Sequence, residues 1–183
     1  MPRRTLPLVL AAVAVVGLAA ASPAVAKSDH KTVVIRDDCD PATFNAAVGP
    51  GTCIGDGRTT FAEFRATLEA LNPPERWNFS RDEFGLDAGG RIDVVSRGGE
   101  FHTFTEVKKF GGGCLPIPFL NLGQPPVAEC QPEAAPGVPV EFGISGVPAG
   151  ASLTISDVSP GTHLYQCLIH PWMRSVAVVE DDD

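Results

Sequence analysis

The seven residues Cys167-Leu168-Ile169-His170-Pro171-Trp172-Met173 place a thiol, an imidazole and a thioether in one short run, entered through the strand-like stretch Gly161 to Gln166. This is a soft-metal ligand set. Thiolate and thioether select copper(I), imidazole suits both copper oxidation states, and two imidazoles with one thiolate and a long axial Met make a blue-copper electron-transfer site. The run lacks only the second imidazole. His102, in Gly98-Gly99-Glu100-Phe101-His102-Thr103-Phe104, is the upstream histidine best placed to supply it from a neighbouring strand. The expected ligands of one type 1 copper ion are therefore His102, Cys167, His170 and Met173. The alternative for Cys167 is a small buried hydrophobe, as free cysteines commonly are. Such a residue needs no His three positions on and no Met six positions on, and Met173 is one of only two methionines, the other being the initiator.

On these residues the chain resembles the cupredoxins. The loop Cys-x2-His-x2-Met is the one that amicyanin-type members carry, and Trp77-Asn78-Phe79-Ser80 followed by Leu86 to Val95 looks like the paired strands that lead to the family's first copper His. The resemblance covers roughly residues 75 to 180, as weak strand patterning plus one sharp loop. It implies a cupredoxin-like antiparallel Greek-key β-sandwich with the ligands at one end. Cupredoxins often have Asn directly after the first His, tying the two ligand loops together; here Thr103 stands in that place, and its hydroxyl is the candidate for the same bond. The family's C-terminal His reaches the surface as an electron port ringed by apolar residues. Leu168, Ile169, Pro171 and Trp172 surround His170 here, so Pro171 and Trp172 are the expected docking patch, while Trp172 equally suits an inward packing that shields the metal from water.

Residues 1–26 read as a secretory signal: Arg3 and Arg4, an apolar run from Leu6 to Ala21, then Ala24-Val25-Ala26 as a small-residue cleavage site. The protein is accordingly expected to be exported, to the periplasm or beyond the cell, with no membrane span once the signal is removed. The 157 residues that remain suffice for one domain with its own core, and a monomer is expected. Residues 27–74 read as an N-terminal strand and helical extension of the sandwich, and residues 75–183 as the copper-binding core. Removing the signal leaves twelve basic and twenty-two acidic residues, a net charge of −10. That argues against nucleic acid as a partner and suits a redox protein with a basic face, whose approach an acidic surface steers.

Five cysteines in an exported chain leave one unpaired, and Cys167 is the natural odd one out. The other four permit three connectivities, of which proximity favours Cys39 with Cys53 and Cys114 with Cys130. The loop from 114 to 130, rich in Pro, is expected to roof or flank the site. Thr32 to Arg36 reads as a first strand, ended by Asp37, Asp38 and Pro41. Thr60 and Glu63 have capping-box spacing, and Phe61, Phe64, Leu68 and Leu71 mark one face of a helix that Asn72-Pro73-Pro74 stops. Further strands are read over Trp77–Phe79, Arg91–Ser96, Thr103–Val107, Val138–Ile144, Ala151–Ile155, Gly161–Cys167 and Ser175–Glu180. His163 shares the face of Tyr165 and Cys167 but lies too far back to join the metal, and a structural role is expected of it. His30, among charged residues by the new N-terminus, is expected to be disordered.

The reading that accounts for all these features is an exported copper protein, not an enzyme, that carries single electrons through one type 1 site. The alternative is a periplasmic copper-handling protein, a chaperone or store with the same fold. Such proteins lean on Met-rich or His-rich open sites, for which two Met and four His are few. Copper enzymes with additional metal centres need clusters such as His-x-His, which this sequence lacks.

Overall fold

The computed structural model describes residues 29–130, 133–135, 138–139 and 145–181. The leader expected over residues 1–26, and most of the strand expected over Val138–Ile144, lie outside them. Two four-stranded sheets make an all-β sandwich. One has the order β10 (Ser152–Ile155), β4 (Arg91–Ser96), β1 (His30–Arg36), β2 (Asn78–Phe79); the other has β3 (Glu83–Asp87), β12 (Arg174–Glu180), β11 (Gly161–Gln166), β6 (Thr105–Val107). A short pair, β5 (His102–Thr103) with β9 (Gly146–Val147), lies at the metal-site end, and β7 (Glu133–Ala135) pairs with β8 (Val138–Pro139). The sheets are mixed rather than wholly antiparallel as the sequence led us to expect. β1 runs parallel to β4, with Val33 opposite Val94, and β12 runs parallel to β3, with Ala177 opposite Phe84. Parallel neighbours need a long crossover, and the segment between β1 and β4 provides one.

That crossover carries two helices. In α1 (Pro41–Ala47), Asp40 is the N-cap, its Oδ2 accepting the Thr43 N–H at 2.9 Å, and Pro41 occupies the first turn. Its missing N–H costs nothing there, so Pro41 begins a helix as well as ending a strand. In α2 (Phe61–Glu69), the reciprocal capping box between Thr60 and Glu63 is formed. Phe64 and Leu68 are buried against the sandwich, and Phe61 packs at its edge. Leu71 is a correction to the expected apolar stripe: it is 72% exposed, beyond the helix end, in a left-handed conformation with φ 55°.

Alternation explains the core. In β1 and β4 the inward positions Val33, Ile35, Ile92 and Val94 are fully buried, as a half-covered strand requires. Tyr165, Ala177 and Val179 face them from the second sheet. Between the layers Phe104 stacks on Tyr165 at 4.4 Å between ring centroids and meets Phe79 edge-on at 5.0 Å. Gln166 points the other way but is buried too, its Oε1 accepting the Gly111 N–H at 3.1 Å. His30 is ordered, contrary to expectation: it opens β1, and its Nε2 lies 2.9 Å from Asp93 Oδ2 on β4. Cys39 is joined to Cys53, and Cys114 to Cys130, leaving Cys167 as the free, buried cysteine.

Candidate metal centre

β11 delivers Cys167 to one end of the sandwich, and the loop after it is a tight closed turn. The Cys167 N–H donates to Met173 O at 3.0 Å and the Met173 N–H to His170 O at 2.9 Å, so the two ends of the loop are tied to each other. The Cys167 sulfur in turn accepts backbone N–H groups from His170 at 3.4 Å and from Thr103 at 3.5 Å. Two such donors favour the thiolate.

β5 brings His102 up against this loop. Its Nδ1 lies 3.8 Å from Cys167 Sγ, His170 Nδ1 lies 3.9 Å from the same sulfur, and the two Nδ1 atoms are 3.2 Å apart. All three side chains are buried, at 0%, 0% and 2% exposure for His102, Cys167 and His170. Donor atoms so spaced would let one metal ion bond all three, at about 2.0 Å to nitrogen and about 2.3 Å to sulfur. Met173 follows within the same turn and is buried, at 1% exposure, in the same apolar cluster as Cys167. The structure thus gathers His102, Cys167 and His170 into one triangle of donors, with Met173 closing the loop that carries two of them.

The tautomers are set by what lies behind the rings. His102 Nε2 sits 2.8 Å from Asp37 Oδ2, a carboxylate just past β1. With Nε2–H donated there, the Nδ1 lone pair is left for the centre. The Asp37 carboxylate also accepts N–H groups from Gly99 at 2.9 Å and Glu100 at 3.1 Å. A Cβ on Gly98 would collide with Oδ2 of Asp37, so only glycine lets the chain pass this close. Burial by itself would raise Asp37, but the His102 hydrogen bond and charge together with those N–H groups outweigh it and hold the carboxyl at about 2. Burial likewise opposes charge on His102, yet its hydrogen bonds to Asp37 and Cys167 push the imidazole up to about 10. The Cys167 thiol, also disfavoured as an anion by burial, is held well below its ordinary range by the two imidazoles.

Thr103 ties the two ligand segments together: its Oγ1 accepts the Leu168 N–H at 2.8 Å and the Thr105 hydroxyl at 3.0 Å. The stapled loop braces the far side, where the Cys114 N–H donates to Leu168 O at 2.7 Å and a side chain on Gly113 would collide with that same carbonyl. Among the described residues the other two histidines lie elsewhere. His163 spans Glu106 Oε1 and the Ser159 carbonyl, each at 2.8 Å, and His30 pairs with Asp93.

Pro171 is buried, and Trp172 is half-buried with its Nε1–H donated to Trp77 O at 3.2 Å. The Phe64 ring meets His170 edge-on at 6.1 Å and the Trp172 ring does so at 5.4 Å. Helix α2 therefore screens the histidine edge that the family resemblance placed at the surface. Sequence reasoning missed Asp37, read as a strand terminator, and Glu100, whose Oε2 accepts the Trp77 Nε1–H at 2.5 Å and lies 3.7 Å from His170 Nε2. The available signal was Glu100 between the glycine pair and His102; Asp37 carried none, because its contact is made across 65 residues of chain.

The fold is similar to those of solved cupredoxins. A purple cupredoxin from Nitrosopumilus maritimus matches at 11% identity over 82% of this chain and 99% of that one, with a TM-score of 0.43. Amicyanin from Paracoccus versutus (Thiobacillus versutus) matches at 19% identity over 58% of this chain and 76% of that one, with a TM-score of 0.36. No family model and no curated protein matches the chain.

Proposed function

We propose that the protein binds one copper ion as a type 1 centre and passes single electrons between exported redox partners. The observation that carries this is the buried triangle of one sulfur and two Nδ1 atoms, 3.2 to 3.9 Å on each side. Bound copper would alternate between its two oxidation states. His102, Cys167 and His170 would hold it, with the Met173 thioether as a weaker fourth donor, a set that serves both states. The chain's part is rigidity. Asp37 fixes the His102 ring, Thr103 locks the first ligand segment to the second, and the N–H groups of Thr103 and His170 steady the sulfur. Phe64 and Trp172 pack edge-on against His170 and hold its ring in place. A closed, buried site exchanges its metal slowly, which suits a resident ion better than copper cargo.

In this reading the protein works as a monomer, after export, with an acidic surface that steers a basic partner. Trp172, the half-buried ring against His170, is the point of electron exit. Among the described residues no helix is long and apolar enough to cross a membrane.

The test is the visible spectrum of the copper-loaded protein, oxidised and then reduced, with copper quantified per chain. We expect an intense thiolate-to-copper band at one copper per chain that bleaches on reduction and is lost in Cys167→Ser. A band unchanged in Cys167→Ser would remove the reading; a colourless protein that still binds copper(I) would replace it with copper handling.

A further inference from the structure

Beside the metal centre lies a cavity of about 340 Å³ with walls from five parts of the chain, α1 and the turn after it among them. Phe61 and Phe64 come from α2, Ile117 and Phe119 from the stapled 114–130 loop, and Glu100 and His170 line it where it meets the site. Its volume is at the lower end of the range of about 300 to 1,000 Å³ typical of small-ligand sites. Apolar side chains make up most of its wall, half of them phenylalanine rings, and Glu100 is its one acidic group. Glu100 Oε2 is taken by the Trp77 indole N–H, while its Oε1 accepts no hydrogen bond from any described residue. The walls are held in place: α1 and the turn after it are stapled by Cys39–Cys53, and the opposite loop by Cys114–Cys130.

We infer that this cavity binds a small neutral aromatic molecule bearing one hydroxyl donor, a simple phenol, with its ring among Phe61, Phe64 and Phe119 and its O–H directed to Glu100. The rings supply edge and face contacts for one further ring. An ionised ligand would be stripped of water against apolar walls at high cost, so the donor is neutral. The ligand would lie beside His170, on the side of the centre that α2 screens from bulk solvent. Binding requires no copper, so it stands or falls apart from the electron-carrier reading.

The probe is 4-methylphenol, with toluene as its counterpart lacking the hydroxyl, titrated calorimetrically into the copper-free and the copper-loaded protein. We expect saturable one-to-one binding of 4-methylphenol in both forms, and toluene about tenfold weaker, the share of one hydrogen bond. Ile117→Trp, which fills the cavity, should lower the affinity more than tenfold. Should that variant not fold, nuclear Overhauser contacts from the ligand methyl to the Phe61 and Phe119 rings of the unaltered copper-free protein locate the site instead. Equal binding of the two probes, binding untouched in folded Ile117→Trp, or contacts elsewhere would each overturn the assignment. Binding of neither probe would also overturn it, and would leave the cavity to an apolar side chain of a protein partner.

Discussion

Asp37 holds its Oδ2 2.8 Å from Nε2 of His102, and neither side chain is more than 1% exposed. The pair fixes both the tautomer and the orientation of a ring whose other nitrogen faces Cys167. Asp37→Asn keeps the shape but lets the amide present either oxygen or nitrogen to Nε2. Since partners of this kind tune metal sites, copper affinity should fall about 10- to 100-fold, measured by competition with a copper chelator. Unchanged affinity would mean that the backbone alone positions His102.

The same pair sets the pH dependence of the copper-free protein. Asp37 is lowered from 3.8 to about 2, so its contribution is present above 3.8 and is lost as pH falls through about 2. His102 is raised from 6.5 to about 10, so its contribution is complete below 6.5 and is lost as pH rises through about 10. The unfolding free energy should therefore plateau between these windows and drop on both sides, by about 2 kcal/mol on the acid limb, and the thermal midpoint should follow it. In Asp37→Asn both limbs should flatten. Copper binding must displace the extra proton of His102, so the apparent copper affinity should rise with pH up to that range, which calorimetry in buffers of different ionisation enthalpy detects.

Met173→Leu should retain the coloured site, because the three donors of the triangle are untouched. Loss of the thioether should shift the reduction potential, because such a donor tunes the balance between the two copper states. Spectroelectrochemical titration reads this directly, and an unaltered potential would show that Met173 is a packing residue only.

Trp172→Ala tests the exit route. Removing a half-buried aromatic anchor at a docking surface typically weakens association by about 2 kcal/mol, or ~30-fold. Electron transfer to a partner should slow accordingly once rates are compared at matched potential, and the rate should fall further with added salt if acidic steering operates. An equal rate at matched potential would move the exit away from Trp172.

How far the sequence reveals this molecule depends on how local each feature is. The loop from Cys167 to Met173 is a short motif whose chemistry is independent of the rest of the chain, and the Thr60–Glu63 box marks the start of α2 from residues three apart. β4 alternates cleanly, and its bounds can be read from sequence. Other features depend on distant partners. β3 escapes notice because Glu83, Gly85 and Asp87 occupy its outward positions and leave only Phe84 and Leu86 to signal a strand. The placement of β1 inside its sheet rests on the parallel match of Val33 to Val94, and the concealment of His170 on a helix that begins over a hundred residues earlier. Pro41 misleads for a local reason, since one proline both stops a strand and starts a helix.

The two disulfides impose an order on maturation. Cys39, at one end of the first bridge, donates its N–H to Asp37 Oδ1 at 3.3 Å, and Cys114, at one end of the second, holds the carbonyl next to Cys167. Each bridge therefore stiffens the surroundings of a metal-facing residue as well as its own loop. While all five thiols are free, a soft ion has four competing sulfurs to bind, and Cys167 has four wrong partners for oxidation. Oxidation of the other four has to come first; only then is Cys167 the single thiolate left to receive the metal.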